Sequence, residues 1–169
     1  MRHMKNWIRL MMLALALAQV AAAQDGQLHA KVKPKKTGVF VDGKFLGTAG
    51  KYSLAPGEHE VWLSEGASSE HTTKVRVESG KTAVLDHRMA SLPLANPPFG
   101  RLSVAGGADD AAVLVNGRYM GQARELRGKS FQLPPGQYLV EIMARGSSSV
   151  STKEKISITT RQVTTVTAR

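Results

Sequence analysis

The sequence predicts an all-β chain of two small antiparallel β-sandwich domains in tandem. Three observations predict it. The hairpin Val39-Phe40-Val41-Asp42-Gly43-Lys44-Phe45-Leu46-Gly47 returns as Val113-Leu114-Val115-Asn116-Gly117-Arg118-Tyr119-Met120-Gly121, with every position identical or similar in size and chemistry. A Pro-Gly turn and an alternating run follow each copy: Ala55-Pro56-Gly57-Glu58-His59-Glu60-Val61, then Pro134-Pro135-Gly136-Gln137-Tyr138-Leu139-Val140. Beyond residue 24, short alternating runs punctuated by Gly and Pro recur, and no stretch carries the period of an amphipathic helix.

The first element is not part of that fold. Met1 to Arg9 holds Arg2, Lys5 and Arg9 and no acid; an apolar run follows, and Ala21-Ala22-Ala23 gives a small-x-small site. This is the pattern of a secretory signal peptide over residues 1–23. The uncharged run Leu10–Ala23 spans 14 residues, short of the roughly 20 that cross a bilayer as a helix. The expectation is a chain with no transmembrane segment after cleavage, secreted or periplasmic, with surface association left open. Taking Arg2, Lys5 and Arg9 from the 23 Lys and Arg leaves 20 against 13 Asp and Glu, a formal charge of +7. Such a charge favours solubility and anionic partners, and is silent about fold. There is no cysteine, so neither a disulfide framework nor a cysteine-linked lipid is available, and each unit must hold by burial.

The first unit is expected over residues 24–88. Leu28 to Lys33 alternates apolar and polar, the period of a half-buried strand, and Pro34 ends it. In the hairpin, Asp42-Gly43 favours a type I′ turn, because both central residues take positive φ. A loop is expected through Ser53, then a turn at Pro56-Gly57. Glu58 to Leu63 alternates again, Gly66 to Glu70 reads as a polar loop, and Val75, Val77 and Ala83 to Leu85 mark closing strands. Residues 89–100 read as a linker in which Pro93, Pro97 and Pro98 favour extended geometry, with Leu92, Leu94 and Phe99 pinning it to a domain surface. The second unit, residues 101–169, repeats this order. Its loop after the hairpin is longer by five residues and carries Arg124, Arg127 and Lys129.

These features resemble the PEGA domain family. The resemblance rests on Val39 to Gly47, Ala55 to Gly57 and His59 to Leu63, and again on Val113 to Gly121, Pro134 to Gly136 and Tyr138 to Ile142. It spans residues 28–88 and 101–168. Thr48-Ala49 and Gln122-Ala123 stand where the family commonly has Thr-Pro, and the second copy is the weaker match. The family is a small β-sandwich of bacterial and archaeal surface and envelope proteins. The resemblance implies a structural or binding role, with no catalytic residues and no cofactor to carry over.

The residues offer no reactive constellation of their own. His29, His59, His71 and His87 lie in separate segments without metal-ligand spacing, and His59 stands where the second copy has Tyr138. The Ser-rich tips lack a G-x-S-x-G elbow, and Asp109-Asp110 lacks the carboxylates and loop spacing of a calcium site. The expectation is no enzyme, no metal and no cofactor. Lys31, Lys33, Lys35 and Lys36 form one basic cluster, and Arg124, Arg127 and Lys129 a second. Two readings apply to them: charge on an edge strand that discourages aggregation, or a site for an anionic envelope polysaccharide or lipid headgroup. Nucleic acid is not expected, since export removes the target and no base-stacking motif is present. The function read from sequence is a non-catalytic envelope module that meets a polymer or protein partner.

Overall fold

The computed structural model describes residues 24–66, 68–92 and 98–168. The expected signal peptide and the centre of the expected linker, residues 93–97, lie outside them. The first unit runs β1 (Gly26–Lys33), β2 (Gly38–Val41), β3 (Lys44–Thr48), β4 (Gly50–Leu54), β5 (Gly57–Ser64), β6 (His71–Val77) and β7 (Thr82–Arg88). The second repeats it as β8 (Gly100–Gly106), β9 (Ala112–Val115), β10 (Arg118–Gln122), a short helix α1 (Ala123–Leu126), β11 (Phe131–Leu133), β12 (Gly136–Met143), β13 (Val150–Ile158) and β14 (Val163–Ala168). The fold is all-β, with two small domains in tandem.

Each unit is two facing sheets. In the first, β4-β1-β7 faces β3-β2-β5-β6; in the second, β11-β8-β14 faces β10-β9-β12-β13. The pairing is antiparallel except that the first and last strands of each unit run parallel, β1 with β7 and β8 with β14. The closing strand reaches its neighbour by crossing from the other sheet, so no hairpin dictates its direction. Two segments expected as loop are strands: Gly50–Leu54 pairs with β1, and Phe131–Leu133 pairs with β8. The added residues of the second copy form α1, which buries Ala123 and Leu126 in that unit's core.

The predicted turns are present. Asp42 and Gly43 have φ of 50° and 75°, and Asn116 and Gly117 have 50° and 78°. These are the two left-handed positions of a type I′ hairpin, which Asp, Asn and Gly occupy at least steric cost. Both hairpins then carry the same bulge. Phe40 opposes Phe45 while Val39 opposes Gly47, leaving Leu46 unpaired; in the second copy Met120 is the unpaired residue.

Alternation along the strands supplies one core per unit. Leu28, Ala30, Val32, Val39, Val41, Val61 and Leu63 fill the first. Leu102, Val104, Val113, Val115, Val140, Ile142, Ile156 and Ile158 fill the second. A strand with one face in such a core and the other in water would read apolar-polar, yet β2 and β9 are buried at all four positions. Their second face makes a third core between the units, from Phe40, Phe45, Ala112, Leu114 and Tyr119, with Trp62 and Met143 against it. The two four-stranded sheets therefore stand back to back.

This joint is reciprocal. Phe45 and Tyr119 are equivalent in the two copies, and their rings meet at 5.4 Å; Phe40 meets Phe45 at 5.1 Å and Trp62 at 4.4 Å. A Cβ on Gly38 would fall 2.7 Å from the Tyr119 ring, so this close approach needs glycine. The Ser-rich loops are clasps rather than free tips. The Phe45 N–H donates to Ser147 O at 3.2 Å, the Gly146 N–H donates to Phe45 O at 2.6 Å, and Arg145 Nε donates to Leu46 O at 2.7 Å. From the other side, Arg118 Nη1 donates to Ser68 O at 2.7 Å and the Tyr119 N–H donates to Ser64 Oγ at 3.2 Å.

Candidate anion-binding site

The structure separates the seven basic residues singled out from sequence. Lys31 and Lys33 project from the outer face of β1, opposite Asp86 and Arg88 of β7. Over Gly26–Ala30, β1 is the central strand of its sheet; only beyond Ala30 is its β4 side open. Lys31 and Lys33 both lie in that open stretch, where the edge-protection reading still applies. Lys35 is exposed in the turn that follows. Lys36 Nζ lies 2.8 Å from Glu65 Oε1, whose side chain is only 7% exposed. The other Glu65 oxygen accepts the Ser68 hydroxyl at 2.8 Å.

In the second unit, Arg127 braces its own loop. Its Nη1 lies 2.6 Å from Asp109 Oδ1, and Nη2 donates to the carbonyls of Gly106 and Gly107, each at 2.9 Å. That guanidinium is committed to holding the segment before β9. Arg124 and Lys129 stay exposed.

The first cluster sits beside a cavity. A groove of about 460 Å³ at the end of β1 is lined by Lys33, Lys36 and Arg88, with Glu65 and Ser68 in one wall and Met89 beneath. Arg88, Glu65 and Ser68 were missed in the sequence, because they reach the lysines through a parallel ladder and a loop far along the chain. The residues after β7 stay with the first unit: the Met89 N–H donates to Lys33 O at 2.8 Å, the Ser69 N–H donates to Ala90 O at 2.7 Å, and Ser91 bridges Ser68.

The histidines also find their places. Asp42 Oδ2 lies 2.7 Å from His59 Nδ1, and His59 Nε2 lies 2.8 Å from Ala55 O. Both ring nitrogens thus face acceptors, which the doubly protonated ring satisfies as a donor twice over. The Asp42 carboxylate and the Ala55 carbonyl raise the His59 pKa above its ordinary value. The same hydrogen bond from His59, with the Glu60 N–H on Oδ1 at 3.0 Å, lowers that of Asp42. Both ring nitrogens are thus engaged within the turn that His59 braces. The second copy does the same work without a charge: the Tyr138 hydroxyl donates to Pro134 O at 2.9 Å and Asn116 Oδ1 accepts the Leu139 N–H at 2.8 Å. His71 and His87 stack at 3.8 Å, and burial, with His71 nearby, lowers the pKa of His87. Among the described residues no group of three or more His, Asp and Glu could hold a metal ion, and no helix is long and apolar enough to cross a membrane.

Comparison with known proteins adds little. No family model and no curated protein matches the chain. Among solved structures, the Bacillus anthracis TIE protein is similar at 16% identity with a TM-score of 0.31, over 86% of this chain. This chain spans 34% of the length of that one.

Proposed function

We propose that this protein is an exported, non-catalytic module of the cell envelope, secreted or periplasmic, in which two PEGA-like repeats form one block for a polymer or protein partner. The observation that carries this reading is what the two copies have in common. Every feature they share is a turn, a core position or a clasp at the joint. Among the described residues their one acid–histidine ion pair, Asp42 with His59, is matched by Asn116 and Tyr138, which hold the same turns without titrating near neutrality. A duplicated architecture that repeats its supports and no reactive group is a scaffold for surfaces. The amino-terminal pattern of Arg2, Lys5 and Arg9 before an apolar run and Ala21-Ala22-Ala23 supports export.

The test is export itself. The full chain fused to alkaline phosphatase, which is active only outside the cytoplasm, should give activity, while the chain begun at Gln24 should give none. The exported protein should start at Gln24 by amino-terminal sequencing. Full-length protein that stays with membranes after carbonate washing would overturn the reading. A second reading, binding of an anionic envelope polymer, is favoured by the cation-lined groove at the end of β1.

A further inference from the structure

The groove holds a charge arrangement that the fold does not need. Lys33 and Arg88 stand directly opposite each other in the β1–β7 ladder, both exposed on the outer face. Like charges set opposite on neighbouring strands are destabilising. Among the described residues neither makes an ion pair, and Lys36 brings a third cation to the same cavity. Glu65, the acid in the wall, already takes Lys36 and the Ser68 hydroxyl. The second unit is an internal control. In register with its own closing strand it places Ala105 where the first unit has Lys31, and its ladder ends at Gly106, one position short of the counterpart of Lys33. The same topology therefore forms without a lysine at the Lys31 position, and the like-charge pair of the first unit is Lys33 with Arg88.

We propose that this groove binds an acidic sugar unit of an anionic polysaccharide, with Lys33 and Arg88 holding its carboxylate. The proposal rests on the second reading above. A guanidinium matches a carboxylate with two parallel N–H donors, and an ammonium beside it adds charge from a flexible stem. A volume of about 460 Å³ lies within the range of small-ligand sites. The exposed Ser91 hydroxyl offers a partner for a sugar hydroxyl, and Met89 gives an apolar floor. The buried Glu65 also selects among anions. It disfavours a dense polyanion or a flat anionic bilayer pressed into the cavity, and tolerates single carboxylates spaced along a glycan.

The experiment uses the chain from Gln24, isotope-labelled, with trigalacturonic acid as probe at low salt. The expected result is amide shifts centred on Ser68, Arg88, Met89 and Ser91, with none from neutral maltotriose. Lys33→Gln with Arg88→Gln should weaken binding at least about tenfold, the scale of losing two charge-assisted contacts. The exposed pair Lys155→Gln and Arg161→Gln, an equal charge change in the second unit, should leave it unchanged. The groove variant should unfold at the parent midpoint or above, since a repulsion has been removed. No trigalacturonate binding, an equal loss in the control pair, or vesicles of phosphatidylglycerol that depend on Lys33 and Arg88 where trigalacturonate does not, would each overturn the site. Export is read separately by the phosphatase fusion, so an exported chain that ignores the sugar refutes the groove alone.

Discussion

Replacing Phe45 by Ala probes the joint that makes one body of two repeats. Phe45 is fully buried, between Phe40 at 5.1 Å and Tyr119 at 5.4 Å, and its backbone holds both hydrogen bonds of the Gly146–Ser147 clasp. The cavity left there is bounded by two rigid sheets, so it collapses poorly, and the loss should be about 3–5 kcal/mol. Against a total of roughly 5–15 kcal/mol for a domain, that is a large fraction. Neither unit's own core contains Phe45, so the loss should fall on the coupling between units. The assay is built into the chain. Of its two tryptophans, Trp7 precedes Gln24, so a chain begun there reports only Trp62, which packs on Phe40 at the joint. In the variant, Trp62 emission should shift at lower denaturant than the β signal in circular dichroism, whereas in the parent the two should coincide. A cycle with Tyr119→Ala should give a coupling of about 0.5–1.5 kcal/mol, as for aromatic pairs in contact. Coincident transitions at the parent midpoint, or strict additivity, would show that the units do not depend on this contact.

Tyr119→Phe should stabilise the chain by about 1 kcal/mol in equilibrium unfolding, because its buried hydroxyl finds no partner among the described residues and the equivalent position already holds Phe45; a loss of stability would show that the hydroxyl is satisfied. The His59–Asp42 pair predicts a stability window. His59, with its pKa raised, contributes fully below its ordinary value of 6.5 and loses that contribution as pH rises through its folded value; Asp42, lowered from 3.8, loses its contribution as pH falls through its own. Midpoints measured across pH should therefore fall on the alkaline side in the parent, and His59→Tyr, the residue of the second copy, should remove that fall; an unchanged profile would mean that the pair is not coupled to folding. Gly117→Val should cost about 1–3 kcal/mol, purely from backbone strain at φ of 78°, since a Cβ there meets nothing within 4 Å. Equal midpoints for that variant and the parent would mean that the turn relaxes.

What the sequence determined by itself was local. Asp42-Gly43 and Asn116-Gly117 dictate their turns because the relevant sterics lie within two residues, and the hairpins, the repeat and the inward faces of β1, β5, β8 and β12 follow from them by alternation. Weaker local signals were lost: Gly50–Leu54 and Phe131–Leu133 are short strands beside glycine and polar residues, held by pairing to β1 and β8. Tertiary structure alone decided everything that depends on which distant surfaces meet. The apolar residues on both faces of Val39–Val41 and Val113–Val115 hinted at a second burial, but the partner could only be the other repeat once both sheets existed. The basic clusters show the same limit. In sequence Arg127 and Lys33 are equal cations; the fold spends Arg127 on the carbonyls of Gly106 and Gly107, and sets Lys33 beside Arg88 through a parallel ladder. A charge's role depends on the groups brought within a few ångströms of it, and for these residues those groups lie far along the chain.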